Sequence, residues 1–201
     1  AESYQQTFID SIAPMLHALK SHPLKKVIVV SSTRVYGESA GERVDDDTSP
    51  QPSDAQGQVL LNMETLWQQA YPSECVIVRP TGIYGTSVAR MIKLAGTTKS
   101  YPKLHWSNRI HVEDLAAFLA QLLHVEHTEK SYICSNSQPL PLHEIIQWFQ
   151  QQLGLPVLIL ESDVPSGKQI YASRMQQMNF ELQHSHCFDD YLALLAERES
   201  K

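Results

Sequence analysis

Apolar residues recur along the chain with two different periods, one typical of helices and one typical of buried strands. The segments 3–20 and 55–70 carry apolar residues at helical spacing on one face, and each predicts an amphipathic helix. Between them, the unbroken apolar run Val27–Val30 predicts a strand that is covered on both faces. A polar loop rich in Gly, Asp, Ser and Pro follows from 37 to about 54. This part of the pattern is therefore helix, strand, loop and helix.

The same alternation continues through the rest of the sequence. The further predicted strands are 75–80, 131–134 and 157–160, and the further predicted helices are 86–95, 112–124, 142–154, 171–178 and 188–197. Strands that alternate with helices predict an α/β fold with a doubly wound, mostly parallel sheet. Because a helix precedes the first strand and long loops follow the early strands, the pattern indicates the later strands of such a sheet only.

Composition and charge argue against several classes of function. The 201 residues are 42% hydrophobic and 19% charged, which is typical of a globular protein. No apolar run approaches the ~20 residues of a membrane span, and the first residues lack the basic and apolar regions of a secretory signal. The net charge of −6, without a basic stripe, favours neither nucleic acid nor an anionic membrane as a partner. We therefore expect a cytoplasmic protein that binds neither nucleic acid nor a membrane.

We interpret three groups of potentially reactive side chains as structural and not as functional sites. Cys75, Cys134 and Cys187 are far apart and form no CxxC pair, so we expect reduced thiols. The run His184–Cys187 holds one cluster without a second pair at zinc-finger spacing, so no metal site is expected. The acidic run Asp45–Asp47 falls in the polar loop and is interpreted as solvated surface.

Ser31, Ser32 and Thr33 place three hydroxyls directly after the strand Val27–Val30. In open α/β sheets the ligand binds at the carboxyl ends of the strands. Hydroxyls at this point are therefore candidates for contacts with a ligand. The alternative is that small hydroxyl residues end the strand and form local hydrogen bonds in a turn. This segment alone leaves both interpretations open.

Five segments in order carry a resemblance to a known family. They are "VIVVSSTRVYG", "ERVDDDTSPQP", "VIVRPTGIYG", "NRIHVEDLA" and "GKQIYASRMQQMNFEL". Together they resemble the extended short-chain dehydrogenase/reductase family, and within its NAD-dependent epimerase/dehydratase group an atypical branch. The resemblance implies the second part of a Rossmann-like dinucleotide-binding domain over 1–135. It also implies a small substrate-side α/β region over 136–201, interleaved with 82–112.

The resemblance further implies a site at the ends of these segments. Ser32 stands where the family has a catalytic Ser or Thr beside the nicotinamide ring, where a hydroxyl can hydrogen-bond to a substrate oxygen. Asn108 and Arg109 stand at the substrate cleft, where a guanidinium can hold an anionic group. The implied cofactor contacts are Ser31, Thr33, Pro80, Thr81, Gly82 and Ile83. The alternatives are a Pro/Gly turn after the strand 75–80 and a surface or helix-capping arginine at 109.

Two departures from the family pattern limit the implied chemistry. No tyrosine is followed four residues later by a lysine, and Gln56 and Leu60 stand where the family has its catalytic Tyr and Lys. The eight glycines contain no fingerprint for a pyrophosphate, and the family's first four strands would precede Ala1. We therefore expect a fragment of a longer protein, with NAD or NADP as cofactor only if that N-terminal half is present.

These features predict an NAD(P)-binding oxidoreductase-like protein of the epimerase/dehydratase group without standard short-chain dehydrogenase catalysis. The missing Tyr and Lys leave a second possibility open, a non-catalytic NAD(P)-binding sensor or scaffold. The resemblance also implies a homodimer through the helices 3–20 and 55–70, where Leu61, Leu66 and Trp67 fit a two-fold contact. The alternative is that these side chains only cover the sheet.

Overall fold

The computed structural model describes residues 2–199, in which strands and helices alternate. The strands are β1 (Val27–Val30), β2 (Ala40–Val44), β3 (Cys75–Pro80), β4 (Gly82–Tyr84), β5 (Ser100–Tyr101), β6 (Leu104–Ser107), β7 (Arg109–His111), β8 (Ser131–Cys134), β9 (Leu140–Pro141), β10 (Ile159–Leu160) and β11 (Pro165–Ile170). The helices are α1 (Glu2–Gln5), α2 (Ile12–Leu19), α3 (Ala55–Ala70), α4 (Ala89–Thr97), α5 (Val112–His124), α6 (Leu142–Gln152), α7 (Ser173–Gln177) and α8 (Cys187–Glu199). A π-helical turn (Gln6–Asp10) joins α1 to α2, and a 3₁₀ turn (Thr33–Val35) follows β1.

A three-stranded parallel sheet in the order β1-β3-β8 forms the centre of the molecule. β3 lies between its two neighbours and all of its residues are buried, which explains its continuous apolar sequence. Parallel strands require crossover connections, and α3 and α5 supply them. The predicted α/β class with a mostly parallel sheet is confirmed. The carboxyl ends of the three strands lie at one edge of this sheet, where the segments after β1 and β3 meet.

A second sheet of four strands, in the order β2-β11-β6-β9, packs beside that edge. β11 pairs in parallel with β2 and β6, and β6 pairs antiparallel with β9. The prediction of a loop throughout 37–54 is wrong, because β2 lies within it, and β11 was not predicted as a strand. Most residues of both strands are exposed or half-buried. Their structure therefore depends on pairing with distant strands and leaves no apolar pattern in the sequence.

The predicted elements differ from the observed ones mainly at their ends. Of the predicted strand 157–160 only β10 forms; it pairs with β5 outside the central sheet, and Ile159 is 70% exposed. The predicted helix 86–95 begins later, at Ala89, and the predicted helix 3–20 is interrupted at Ser11. By contrast, α3 and α5 have the predicted bounds.

Two clusters of buried apolar side chains hold these layers together. The larger cluster joins the central sheet to α3 and α5 and includes Ile77 and Phe118. The smaller cluster lies among α4, α6 and α8 and includes Phe149 and Tyr191. None of the helices within residues 2–199 is both long and apolar enough to cross a membrane.

The proposed division of the chain into 1–135 and 136–201 remains a prediction. Its outermost residues, Ala1 and Lys201, lie outside the described residues. The larger cluster of buried side chains includes residues from both regions, such as Val78 and Met175. The two regions therefore share a core in this structure.

Asp46 corrects the interpretation of the acidic run as solvated surface. Its side chain is buried, with 6% exposed. One carboxylate oxygen accepts a hydrogen bond of 2.6 Å from the Ile133 amide, and the other accepts bonds from Ser173 Oγ (3.0 Å) and the Arg174 amide (2.9 Å). A buried carboxylate is tolerated when it is hydrogen-bonded in this way. Asp46 thus joins the loop after β2 to β8 and to the start of α7.

Candidate functional site

A cleft of about 390 Å³ lies where the carboxyl ends of β1 and β3 face the second sheet. We call it the Ser32 cleft. Its lining comprises Tyr4, Ser32, Thr33, Arg34, Thr81, Gly82, His105, Trp106, Ser107, Asn108, Gly167, Lys168 and Ile170. The cleft therefore brings together segments that are far apart in the chain, at the sheet edge where open α/β folds bind ligands.

Ser32 stands at the start of the 3₁₀ turn with extended backbone angles of φ −157° and ψ 151°. Its Oγ accepts a hydrogen bond of 3.2 Å from the Arg34 amide, which is the local turn interaction considered above. The hydroxyl proton is not used in that bond, so Ser32 retains a donor for a ligand. Thr33 Oγ1 donates to the Pro80 carbonyl oxygen (3.3 Å) and ties the turn to β3. The structural and functional interpretations of Ser32 are thus compatible.

The hydroxyl of Ser31 is buried without a hydrogen-bond partner among the described residues. The Ser31 amide, in contrast, donates to the Val78 carbonyl oxygen (2.7 Å) and continues the pairing of β1 with β3. A buried polar group without a partner costs about 1–3 kcal/mol. Ser31 itself lines neither cavity, so its buried hydroxyl is not placed to contact a ligand there. Ser32, Thr33, Thr81 and Gly82 do line the Ser32 cleft, and this polar lining at the ends of β1 and β3 fits the carboxamide of a nicotinamide.

A second cavity of about 210 Å³ adjoins the first, and we call it the Arg109 pocket. Its lining includes Gly82, Ile83, Arg90, Asn108 and Arg109, and Gly82 and Asn108 line both cavities. Parallel pairing of β4 with β7 places Gly82 directly opposite Arg109. The predicted cofactor and substrate segments therefore meet between the two cavities.

Arg109 is buried, with 7% exposed, so the alternative of a surface arginine is wrong. Its Nε donates to the Tyr191 hydroxyl oxygen (2.9 Å), and its Nη1 has no partner among the described residues. No described carboxylate forms an ion pair with this guanidinium. Buried cations are normally paired. An uncompensated arginine beside a cavity therefore favours an anionic ligand group.

Asn108 holds β11 in place. Its Nδ2 donates to the Lys168 carbonyl oxygen and its Oδ1 accepts from the Ile170 amide, both at 2.8 Å. Its own carbonyl oxygen accepts from the Gly82 amide (3.1 Å). The side-chain amide thus positions the strand that carries Lys168, and its proposed contact with substrate remains a prediction.

The remaining predicted residues lie at or behind the two cavities. Thr81 lines the Ser32 cleft and is held by its amide (3.0 Å) and Oγ1 (3.3 Å), which both donate to the Cys134 carbonyl oxygen. Ile83 is 54% exposed at the Arg109 pocket. Pro80 is buried at the end of β3 and lines neither cavity. The roles of all these residues remain predictions.

No acid–base group stands at the positions of the family's Tyr and Lys, which are occupied here by Gln56 and Leu60. Leu60 is 3% exposed and belongs to the larger core cluster. Gln56 lies in the first turn of α3, and the next residue, Gly57, packs so closely that a Cβ there would lie 2.7 Å from the Arg34 oxygen. Neither Gln56 nor Leu60 lines the Ser32 cleft.

A histidine–carboxylate cluster near the Arg109 pocket was missed from the sequence. The rings of His111 and His184 stack with centroids 3.5 Å apart. His184 Nδ1 lies 2.6 Å from Asp190 Oδ1, and its Nε2 lies 3.2 Å from Glu113 Oε2. Asp190 Oδ2 also accepts a hydrogen bond of 2.6 Å from the Tyr84 hydroxyl. Because His111 and His184 are distant in the chain, no local motif joins them.

The two stacked histidines have opposite pKa shifts. Burial lowers the pKa of His111, and the neighbouring charge of His184 lowers it further. Burial acts in the same direction on His184, but the hydrogen bonds to Asp190 and Glu113 outweigh it and raise the pKa of that residue. Ligand atoms of His111, Glu113 and His184 lie within 4.8 Å of one another. Both ring nitrogens of His184 already face carboxylates, so this grouping is explained by its internal hydrogen bonds.

Comparisons with known proteins show which proteins this chain is similar to. The sequence model of the NAD dependent epimerase/dehydratase family matches residues 2–134. Protein YeeZ of Escherichia coli K12 is 28% identical over 186 residues, which cover 88% of this chain. The matched region spans only 65% of the length of YeeZ.

Two solved structures show the same fold. A Methylobacillus flagellatus structure assigned to the NAD-dependent epimerases/dehydratases is 32% identical with a TM-score of 0.83, and the match covers 98% of this chain and 73% of that one. The dTDP-glucose 4,6-dehydratase of Bacillus anthracis, solved in complex with NAD, is 17% identical with a TM-score of 0.79, covering 98% and 69% of the two chains. The match of the family model to residues 2–134, more than half of the chain, shows that the chain belongs to the NAD-dependent epimerase/dehydratase family.

Proposed function

We propose that the full-length protein, with the N-terminal half that the resemblance implies, binds NAD or NADP and acts on a small carbonyl or alcohol substrate in the Ser32 cleft, without the Tyr-x-x-x-Lys pair. The observation that carries the proposal is the Ser32 hydroxyl, which lines the cleft at the carboxyl end of β1 and retains a donor for a ligand. The nicotinamide, when bound, supplies or accepts a hydride. Thr33 and the segment from Pro80 to Ile83 would hold it at the ends of β1 and β3.

Ser32 is the proposed catalytic hydroxyl. It lines the cleft and retains a donor after accepting the hydrogen bond from the Arg34 amide. Donation to a substrate oxygen stabilises the negative charge that develops there during reduction. Ser32 by itself does not deliver a proton at neutral pH, so the reaction also requires an ionisable group.

Arg109 is the proposed contact for the substrate. Its buried guanidinium has no carboxylate partner among the described residues, and a planar fork of donors binds carboxylates and phosphates in two-point contact. We therefore propose a substrate with an anionic group that occupies the Arg109 pocket, and a carbonyl or hydroxyl carbon that reaches the Ser32 cleft through the shared wall at Gly82 and Asn108.

A second candidate function is a non-catalytic NAD(P)-binding sensor or scaffold. The specific observation in its favour is that Leu60 is fixed in the core where the family has its lysine. A protein of this kind would bind the cofactor and leave carbonyl compounds unchanged.

The test is a titration with NADH and NADPH by fluorescence, followed by turnover of pyruvate and of acetone as its uncharged analogue. We expect binding of at least one cofactor, oxidation of that cofactor with pyruvate, and weaker turnover of acetone. Ser32→Ala should reduce turnover by about 10²-fold, the usual effect of removing one donor from a developing oxyanion. Ser39→Ala, an exposed serine outside the cleft, is the matched control.

Three results would separate the candidates. Binding without turnover across a broad carbonyl panel would favour the sensor. Equal turnover of pyruvate and acetone would overturn the role of Arg109. Failure of the full-length protein, with its N-terminal half, to bind either cofactor would overturn both functions.

A further inference from the structure

Lys168, which was not predicted from the sequence as a site residue, lies in the Ser32 cleft. Lys168 is on β11, and its Nζ donates a hydrogen bond to the backbone oxygen of Tyr36. Tyr36 closes the 3₁₀ turn that begins after Ser32. The amine is therefore held against the turn that carries the Ser32 hydroxyl, and both residues line the same cleft.

The backbone of β11 is irregular at the residue before Lys168. Gly167 has a φ of +71°, and a Cβ there would lie 2.8 Å from the Trp106 oxygen and 2.9 Å from the His105 ring. The register of β11 against β2 shifts between Gly167 and Lys168. Irregularities of this kind redirect the next side chain and are frequent beside active sites. Gly167 therefore permits the close approach and the turn of the strand that direct Lys168 into the cleft.

Lys168 is not neutralised by a paired carboxylate. Among the described residues it forms no ion pair, and its recorded side-chain hydrogen bond is the one to the Tyr36 oxygen. An ammonium has three donors. Two of them therefore remain for a ligand in the cleft.

The charges around Lys168 come from several elements. Burial lowers the pKa of Lys168, and the carboxylates of Glu38, Asp54 and Glu42 act in the opposite direction. Arg34, at the turn, is paired with Asp54 at 3.1 Å. The other titratable side chains of the cleft are Tyr4 and His105, and Nδ1 of His105 lies 3.1 Å from Ser166 Oγ. A lysine whose amine is partly desolvated in this way is suited to proton transfer.

We propose that Lys168 is the proton donor of the Ser32 cleft, in place of the Tyr-x-x-x-Lys pair that this chain lacks. This proposal rests on the proposed function. In the reduction of a carbonyl, the Lys168 ammonium would give a proton to the carbonyl oxygen and become a neutral amine, which regains a proton from water. A bound reduced nicotinamide would supply the hydride for the carbon, so that the products would be the alcohol and the oxidised cofactor. Ser32 donates a hydrogen bond to the same oxygen.

The first test measures the amine directly, without turnover. Trace acetylation of the whole protein across a pH series, read by peptide mass spectrometry, gives the pH at which each amine becomes reactive. We expect Lys168 to become reactive below the ordinary lysine pKa of about 10.4. NADH together with pyruvate should slow its acetylation, while exposed Lys103 in the same digest is unaffected. A Lys168 amine that titrates at or above the ordinary value, or that is not protected, would contradict the proposal.

The second test is a set of variants assayed with NADH and pyruvate. Lys168→Arg keeps the positive charge and a donor for the Tyr36 oxygen but does not release a proton near neutral pH. We expect it to fold like the wild type and to lose about 10²-fold in turnover. The wild-type rate should fall as the pH rises through the pKa of Lys168, and this limb should be absent in Lys168→Arg. Lys103→Met is the control with normal turnover.

The two tests distinguish the failure of this proposal from the failure of the proposed function. Turnover that survives Lys168→Arg but is lost in His105→Gln would overturn the role of Lys168 and leave the enzyme in place. If none of the carbonyl compounds is turned over, the enzyme function is wrong. The acetylation experiment then decides whether Lys168 is the group of the cleft that ionises and contacts the ligand. A third variant, Lys168→Met, removes both the proton and the hydrogen bond to the Tyr36 oxygen. If Lys168→Met does not fold, the result of Lys168→Arg decides the role of Lys168.

Discussion

The pKa of a side chain near the cavities depends strongly on its charged neighbours, and His184 is the clearest case. It faces Asp190 on one ring nitrogen and Glu113 on the other, and its ring stacks on His111. The two carboxylates favour the protonated ring. His184 thereby links the start of α5 to α8, which closes the Arg109 pocket through Tyr191.

We predict that His184 makes the stability of the protein depend on pH. Its pKa is raised in the folded state. The stabilisation is therefore fully present below the unfolded value of about 6.5 and is lost as the pH rises through the folded value. His184→Gln should lower the free energy of unfolding by about 0.5–1 kcal/mol more near pH 6 than near pH 9. Urea unfolding at the two pH values measures this difference.

The matched control for this prediction is His186→Gln, because His186 is exposed two residues further along the chain. It should change the stability little at either pH. His111 has a lowered pKa and acts in the opposite direction. Because the charge of His184 contributes to that lowering, His184→Gln also changes the pKa of His111, and the measured difference is the net of both effects. An equal loss of stability at both pH values in His184→Gln would show that His184 acts only through packing.

At the scale of elements, one buried ion pair joins α3 to the central sheet. Arg79 on β3 donates to Glu64 on α3 at 2.7 Å and to the Tyr36 hydroxyl oxygen at 2.9 Å. The side chains of Arg79 and Glu64 are 9% and 2% exposed. α3 is thus fixed to β3 by charge as well as by the apolar contacts of Leu60 and Met63.

We predict that Arg79→Met destabilises the protein by about 3–5 kcal/mol, because it leaves the Glu64 carboxylate buried without a partner. The double variant Glu64→Leu/Arg79→Met should be more stable than Arg79→Met alone, since no buried charge remains. Thermal and urea unfolding measure both. If the double variant is the less stable of the two, the uncompensated charge is not the cause.

The control for this pair is the exposed pair of Arg34 and Asp54, whose side chains are 45% and 44% exposed. Arg34→Met should cost at most about 1 kcal/mol, because solvent screens exposed pairs. A comparable loss of stability in both arginine variants would remove the distinction between the buried and the exposed pair.

At the scale of the whole molecule, we propose self-association through α3 and the N-terminal helices. Leu66 is 38% exposed and Met15 is 49% exposed. Leu66 lines a shallow depression together with Ile9 and neighbouring polar residues of α3. Trp67, by contrast, is 8% exposed and Leu61 packs against the core, so these two side chains cover the sheet. The partner we propose is a second copy of this chain in a two-fold arrangement.

We predict that light scattering gives the mass of a dimer and that Leu66→Glu converts it to a monomer, because a charge would be buried in the contact. Leu123→Glu, at a leucine of α5 that is 59% exposed, should leave the dimer intact. A wild-type protein with the mass of a monomer in light scattering would contradict the proposed dimer. Loss of the dimer in both variants would show that the effect is not specific to α3.

The elements that were predicted well are those whose stability is local or fully buried. α3 and α5 matched their predicted bounds because their apolar periodicity is uninterrupted, and the Asp54 side chain accepts from the Gly57 amide at the start of α3. β3 was recognised because both of its faces are covered. β2 and β11 were missed because polar strands depend on partners that are distant in the sequence.

The predicted site residues have the same two origins. Ser31, Ser32 and Thr33 became candidates because a position after a buried strand is a local feature. The resemblance to the family then selected Ser32 and Arg109, and their roles remain predictions. Lys168 escaped notice because its approach to the cleft depends on the irregular backbone at Gly167 and on Asn108, which holds β11. The pairing of His184 with Glu113 joins residues that are 71 positions apart. No spacing rule covers such a contact.

The sequence by itself determined the α/β class, the buried strands of the central sheet, the hydroxyls that follow β1 and the absence of a Tyr-x-x-x-Lys pair. These features depend on residue types and short spacings, which can be identified in the sequence before the tertiary structure is known. The tertiary structure alone decided that Asp46 and Arg109 are buried, that Lys168 faces the Ser32 cleft, and which apolar side chains of α3 remain exposed. Burial and charge pairing arise only when distant segments meet, and they therefore decide the chemistry of this site.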